Sequence, residues 1–301
     1  MKSSRQGQAD LLLVCTTLIA AFGWICSREA ISGMPVLAFL GLRFALAGLL
    51  LLTFCQRAEL RQTLRNIRAV LASGLLQAGA MLLWIYGVAT THSLGEGAFI
   101  MSLSMLFVPV VAWVILSSRP ATSFWISLPV GMAGLALLTL KQDISFEASQ
   151  LLFLGSALLQ AIYFCLNTRY AGTVSVRSLA AVQLCCTGVI ASVLSLLLES
   201  WPQQITLSIW LWLAASVLIA TSLRFWLQLK GQSMTTAASA ALIMLLEPLL
   251  TVVAAALWYG ETMSAQQMGG CALILASLLY YRLQSGRARR RPRDADSDQQ
   301  G

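Results

Sequence analysis

The sequence predicts an all-α membrane protein with ten transmembrane helices arranged as two inverted five-helix repeats. Three observations lead there: its composition, the distribution of its charges, and an internal repeat. Of the 301 residues, 58% are hydrophobic and 11% are charged, with a mean hydropathy of +0.76. A soluble globular domain carries roughly 25% charged residues. A chain of this length with so few charges has more apolar surface than a water-soluble core can hide, so the bilayer has to be its solvent.

Apolar runs of membrane-spanning length fall at about 11–31, 35–55, 70–90, 97–117 and 121–140, and again at 151–170, 179–198, 209–229, 235–258 and 265–283. The first run continues to Ile31, which is longer than a secretory signal, so it is expected to be an uncleaved span. Connections are short and leave no room for a soluble domain. Residues 284–301, basic and then acidic, are expected to form a disordered cytoplasmic tail.

Charge counting tests the ten-span reading. With the N-terminus inside, one side collects Lys2, Arg5, Arg57, Arg61, Arg65, Arg68, Arg119, Arg169, Arg177, Lys230, Arg282 and five tail arginines from Arg287 to Arg293. The other side holds Arg28 and Lys141, and Arg43 and Arg224 lie within spans. Positive charge concentrates on the cytoplasmic side of membrane proteins. The expectation is therefore a bacterial-type inner-membrane protein with both termini cytoplasmic. The tail arginines abut a hydrophobic segment and suit anionic lipid headgroups. No base-stacking or groove-reading motif accompanies them, so no nucleic-acid partner is expected.

The two halves resemble each other. LSMLFVP (103–109) and LIMLLEP (242–248) share Leu103/Leu242, Met105/Met244, Leu106/Leu245 and Pro109/Pro248, each 139 apart. Gly131 matches Gly270 at that offset, and Gly48 matches Gly188 at 140. The first repeat is placed at 11–140 and the second at 151–283. Five spans is an odd number, so the second copy enters the membrane in the opposite orientation. Inverted repeats of this kind are a signature of secondary transporters, whose substrate site lies between the halves near midplane.

Several stretches carry a family resemblance over about residues 11–283: FGWICSREAI (22–31), FLGLRFALAGLLLL (39–52), the proline of span four with the glycines of span five, AASAALIMLLEPLLTVVAAALWYGE (237–261), and Gly269-Gly270. The chain resembles the drug/metabolite transporter superfamily, in its ten-span type with two EamA domains. One departure is SSRP (117–120), where that family often shows a Gly-Glu pair like Gly260-Glu261. The resemblance implies export of amino acids, related metabolites or amphipathic drugs. It also implies a central cavity lined by spans one, three, four, six, eight and nine.

Ionisable side chains deep in a membrane need a reason to be there. Glu247 lies about twelve residues into span nine, close to midplane, which makes it the candidate proton carrier; a helix-packing carboxyl beside Pro248 is the alternative. Arg43, in span two, cannot shed its proton. It is read first as a structural lock and second as a ligand for a substrate carboxylate, with Gln183 at the matching place in the other half. Arg224 near the inner end of span eight either snorkels to headgroups or faces the cavity as a partner for an anionic substrate or for Glu247.

Trp24, Trp84, Tyr86 and Tyr163 lie on spans that the resemblance makes cavity-lining, where ring faces suit an amphipathic substrate or a cation; helix packing is the alternative for each. Gln77 and Gln160 are further cavity candidates, because an amide facing lipid is unfavourable. Met105 and Met244, at matching repeat positions, offer an adaptable apolar wall.

Arg57, Arg61, Arg65 and Arg68 share one helical face and, with Leu60, Leu64 and Ile67, predict a short interfacial helix. All seven cysteines fall in or at the ends of apolar runs without metal-finger spacing, and read as free thiols. The sequence contains no phosphate loop, H-E-x-x-H or G-x-S-x-G. No catalytic residue, metal or cofactor is therefore expected, and a proton gradient is the candidate driving force. The expected partners are a small-molecule substrate and the lipid bilayer, for a monomer or homodimer. A nucleotide-sugar or lipid-linked translocator is the rival within the fold, and a membrane-embedded enzyme or sensor is the rival from another class.

Overall fold

In hydrocarbon, backbone N–H and C=O groups can be satisfied only within their own segment or a closed barrel. Among the residues that the computed structural model describes (2–117, 122–139, 147–170, 175–234, 243 and 246–297), every regular element is a helix. The first half comprises α1 (Lys2–Ile31), α2 (Val36–Thr53), α3 (Arg57–Arg65), α4 (Ile67–Thr90), α5 (Leu94–Ser102), α6 (Ser104–Leu116) and α7 (Thr122–Thr139). The second half comprises α8 (Ala148–Tyr170), α9 (Val176–Leu198), α10 (Leu207–Ala215), a π-helical segment (Ser216–Leu223), α11 (Arg224–Met234), α12 (Leu246–Tyr259) and α13 (Ala265–Ser297).

Six stretches of described helix are long and apolar enough to cross a membrane: Asp10–Ile31, Val36–Thr53, Ile67–Thr90, Leu94–Val114, Arg177–Leu198 and Leu207–Gln228. Ala148–Tyr163 and Leu246–Tyr259 are shorter apolar stretches within the described residues, and residues 235–242, 244 and 245 of the expected span 235–258 lie outside them. The expected spans at 121–140 and 265–283 coincide with α7 and α13.

Three features depart from the expected simple spans. The run 97–117 is two helices, α5 and α6, joined at Leu103, whose N–H bonds to the Ile100 carbonyl at 3.1 Å in a tightened turn. Pro109, inside α6, has no N–H to give the helical ladder. The run 209–229 is interrupted by the π segment, where Thr221 and Ser222 hydroxyls donate to the carbonyls of Ser216 and Val217, five residues back. Residues 284–297, expected as disordered tail, continue α13 to Ser297. Ala288 and the arginines around it are good helix formers, and a helix already running needs no new nucleus. The last four residues lie outside the described set.

Helices pair between the halves. α2 packs on α9, α7 on α13 and α4 on α8, while α1 packs on the π segment and α11. The α2–α9 pair is antiparallel. Leu37 and Ala38 meet Glu199, Gly41 meets Ser192, Ala45 meets Gly188, and Gly48 meets Cys185. Absent side chains let these backbones approach, as small residues do in membrane interfaces. α7 and α13 are similarly close: a methyl built on Gly134 would lie 2.8 Å from the Gly270 carbonyl oxygen.

Two glutamates fasten the ends of the α2–α9 pair. Glu199, just after α9, accepts the α2 amides of Leu37 (2.8 Å) and Ala38 (2.9 Å). A carboxylate suits orphan donors at a helix N-terminus. Glu59, in α3 just beyond the end of α2, accepts from Ser175 (2.9 Å) and Arg177 (3.1 Å) at the start of α9. These two acids are 140 residues apart, the offset that relates Gly48 to Gly188.

Candidate functional site

The interior is built around buried aromatic side chains. Trp24 of α1 and Trp84 of α4 pack edge to face at 5.3 Å, and Phe153 of α8 lies 5.7 Å from Trp24. Both tryptophans belong to the main core cluster with Phe39, Phe44 and Phe99. The structure thus gives these two residues a packing role, whereas Tyr86, two residues on from Trp84, is exposed.

Arg43 lies inside this aromatic shell and is only 6% exposed. Its Nε donates to Thr221 Oγ1 at 2.9 Å, and one terminal nitrogen donates to Ser27 Oγ at 2.8 Å. The rings of Phe44, Trp84 and Phe39 lie 5.5–5.8 Å from the guanidinium carbon, within range of cation–π attraction. Arg43 therefore ties α1, α2 and the π segment together. Gln183, its counterpart on α9, accepts from Tyr163 of α8 at 2.9 Å and donates to Ser73 of α4 at 2.7 Å. Each half thus uses a polar side chain of its second span to join two neighbouring helices.

Arg224 follows the π segment directly, and its guanidinium binds Glu247 Oε2 at 3.0 Å. Their side chains are 30% and 22% exposed. The buried Nε of Arg224 has no acceptor among the described residues. The sequence leaves Arg224 between snorkelling to headgroups and facing a cavity; its carboxylate partner in the structure is Glu247. Gln77 of α4 and Gln160 of α8 each bury a side-chain oxygen that has no donor among the described residues. Gly79 faces Leu159 and the Ala80 carbonyl accepts from Ser156. That register puts Gln77 and Gln160 at the same level of the α4–α8 pair. Met244 and the Met105 side chain lie outside the described residues.

A second polar cluster ties down one end of the molecule. Glu261, after α12, binds Arg28 at 3.0 Å, Ser93 Oγ at 3.0 Å and the Leu94 amide at 3.2 Å. Arg28 also stacks over the Tyr259 ring at 4.6 Å. Glu29 accepts from Tyr259 at 2.8 Å and from Trp258 at 3.2 Å. Nearby, Gln150 at the start of α8 donates to Glu96 in α5. This latch joins the end of α1, the start of α5 and the end of α12. Glu261→Ala would leave three donors without their acceptor, and each such loss costs about 1–3 kcal/mol where water is excluded. The expected result is a clear drop in the detergent-solubilised melting temperature; Glu261→Gln, which keeps an acceptor oxygen, should lose less.

Compared with known proteins, the profile of the EamA-like transporter family matches residues 7–140 and again 148–283. A curated relative, the Uncharacterized transporter YwfM of Bacillus subtilis (strain 168), is 27% identical over 184 residues. That match spans 57% of this chain and 60% of the relative's length. A solved crystal structure is similar at a TM-score of 0.67, covering 94% of this chain and 99% of that one, with 16% sequence identity, and so shares the fold.

Proposed function

The chain belongs to the EamA-like transporter family, and from that premise we propose that it is a secondary exporter of a small metabolite working by alternating access. In this reading it crosses a bacterial-type inner membrane ten times, as two inverted halves with both termini cytoplasmic. Support comes from the twofold family match, from the antiparallel α2–α9 pair with its reciprocal glutamates, and from the bias of positive charge. Amino acids, related metabolites or amphipathic drugs form the proposed substrate class.

The observation that carries the mechanism is the Arg224–Glu247 pair beside the π segment. An ammonium group of the substrate displaces the guanidinium from the charged Glu247 carboxylate, and the freed Arg224 receives the substrate's anionic group. Protonating Glu247 removes the charge that holds the ammonium and expels the substrate, and deprotonation restores the ion pair. Proton and substrate thus compete for one carboxylate, which is the requirement for exchanging them. The donor on Arg224 Nε, without an acceptor among the described residues, gives a substrate oxygen a second point of attachment. The Arg28–Glu261 latch closes the outer end in this scheme, and its release accompanies opening to that side. A nucleotide-sugar translocator is the weaker reading, because Arg43 is already occupied by Ser27 and Thr221.

The test is flux in proteoliposomes loaded with candidate substrates, with and without a pH gradient. The wild type should respond to the gradient. Glu247→Gln, a permanent mimic of the protonated acid, should lose that response, and an unchanged response would remove Glu247 from the coupling.

A further inference from the structure

The short helix α3 lies between the end of membrane helix α2 at Thr53 and the start of α4 at Ile67, so connectivity holds it at the membrane surface. One face docks on the protein. Thr63 is fully buried and shares a hydrogen bond with Ser178 at 2.6 Å. Glu59, one turn before it, is engaged by the Gln56 amide, Ser175 and Arg177. These contacts, the Gln56 amide foremost and then the Ser175 hydroxyl, hold the Glu59 carboxyl below its ordinary range, so its charge is kept and already paired.

The opposite face is left to the arginines. Arg57, Arg61 and Arg65 recur every four residues, are exposed, and have no carboxylate partner among the described residues. Together with Ala58 and Gln62 they form one open face of the helix. The helical spacing places Leu60 and Leu64 on the flank of this basic row. Leu64 is 62% exposed, and Phe54, at the turn leading into α3, is 68% exposed. Apolar side chains beside a cationic row at a membrane surface are the pattern of a helix that dips between headgroups.

We propose that α3 is a binding shelf for the headgroup phosphates of anionic phospholipids. Arg57, Arg61 and Arg65 grip the phosphate oxygens, and Leu64 and Phe54 sit among the upper acyl carbons. Guanidinium forks match phosphate oxygens in geometry and charge. The commitment to a lipid, rather than to a soluble phosphate compound, rests on the exposed leucine and phenylalanine beside the arginine row. The shelf does not depend on which substrate is carried or on how transport is coupled.

Native mass spectrometry of the full chain in detergent, titrated with phosphatidylglycerol and separately with phosphatidylcholine, tests this. The wild type should retain phosphatidylglycerol preferentially. Removing one cation at an anionic surface costs roughly fivefold, so the triple variant Arg57→Gln/Arg61→Gln/Arg65→Gln should weaken that binding at least tenfold. Its melting temperature should not change, because the docked face is untouched. Leu64→Ser should also weaken it. Wild-type retention in the triple variant would overturn the shelf. Displacement of the lipid by millimolar inorganic phosphate, with Leu64→Ser unaffected, would overturn the lipid and point to a soluble phosphate ligand.

Discussion

Adding one methyl group at Gly188 should cost about 2–3 kcal/mol of stability, whereas the same change at Gly269 should cost nothing or stabilise slightly. An alanine Cβ at Gly188 would meet the backbone nitrogen, Cα and Cβ of Ala45 at closer than contact distance. The obstacle is mostly main chain, which cannot swing aside as a flexible side chain does, and overpacking a tight interface costs typically 1–3 kcal/mol. At Gly269 an added Cβ has nothing within 4 Å. There only helix propensity changes, and alanine is favoured over glycine by about 0.8–1.0 kcal/mol in a helix interior. Gly48→Ala should resemble Gly188→Ala, since its Cβ would lie 2.7 Å from the Cys185 nitrogen. The two share one interface, so their costs should not add. Thermal unfolding of the four proteins in one detergent checks this. Equal melting temperatures for Gly188→Ala and wild type would mean that α2 and α9 do not approach so closely.

These glycines also mark how far the sequence could be read. Their offset of 139–140 residues was legible, and it led to helices that do pair across the halves: Gly48 and Gly188 at α2–α9, Gly131 and Gly270 on the α7–α13 pair. Arg43 and Gln183 were legible as counterparts in the same way, although that each ties down two further helices was not. Glu59 and Glu199 stand at the same offset, yet nothing local in either stretch marks them as partners of the other half. They lie beyond the ends of apolar runs, and their role, holding the start of the other half's helix, exists only once the halves are apposed. Arg28 and Glu261 are 233 residues apart, so nothing local in either stretch announces the latch. The π segment leaves no mark in composition either, because SVLIATSL would serve as well in an α-helix. What the sequence encodes locally is apolar length, charge sidedness and small residues at close approach. Partnerships between polar groups come from the packing of distant segments.

Replacing Arg224 alone with leucine should destabilise the protein by about 2 kcal/mol, and replacing Arg224 and Glu247 together should recover most of that loss without recovering gradient-driven flux. Removing one member of a buried ion pair leaves the other charge uncompensated and costs 3–5 kcal/mol, whereas exchanging both members for apolar groups is often neutral. The smaller figure applies because these side chains keep 30% and 22% exposure. The cycle of Arg224→Leu, Glu247→Leu and the double variant, read by thermal unfolding, should show a coupling of about 1–2 kcal/mol, as expected for residues in direct contact. Stability and transport then separate. A pair kept only to hold α11 against α12 could be replaced by two leucines with no loss of flux. A pair that a proton and a substrate must open cannot, because the double variant has no group to protonate and no cation to offer. A stable double variant that still transports with the wild-type response to pH would assign the pair to packing alone. A stable one that carries nothing would place the exchange step at the ion pair beside the π segment.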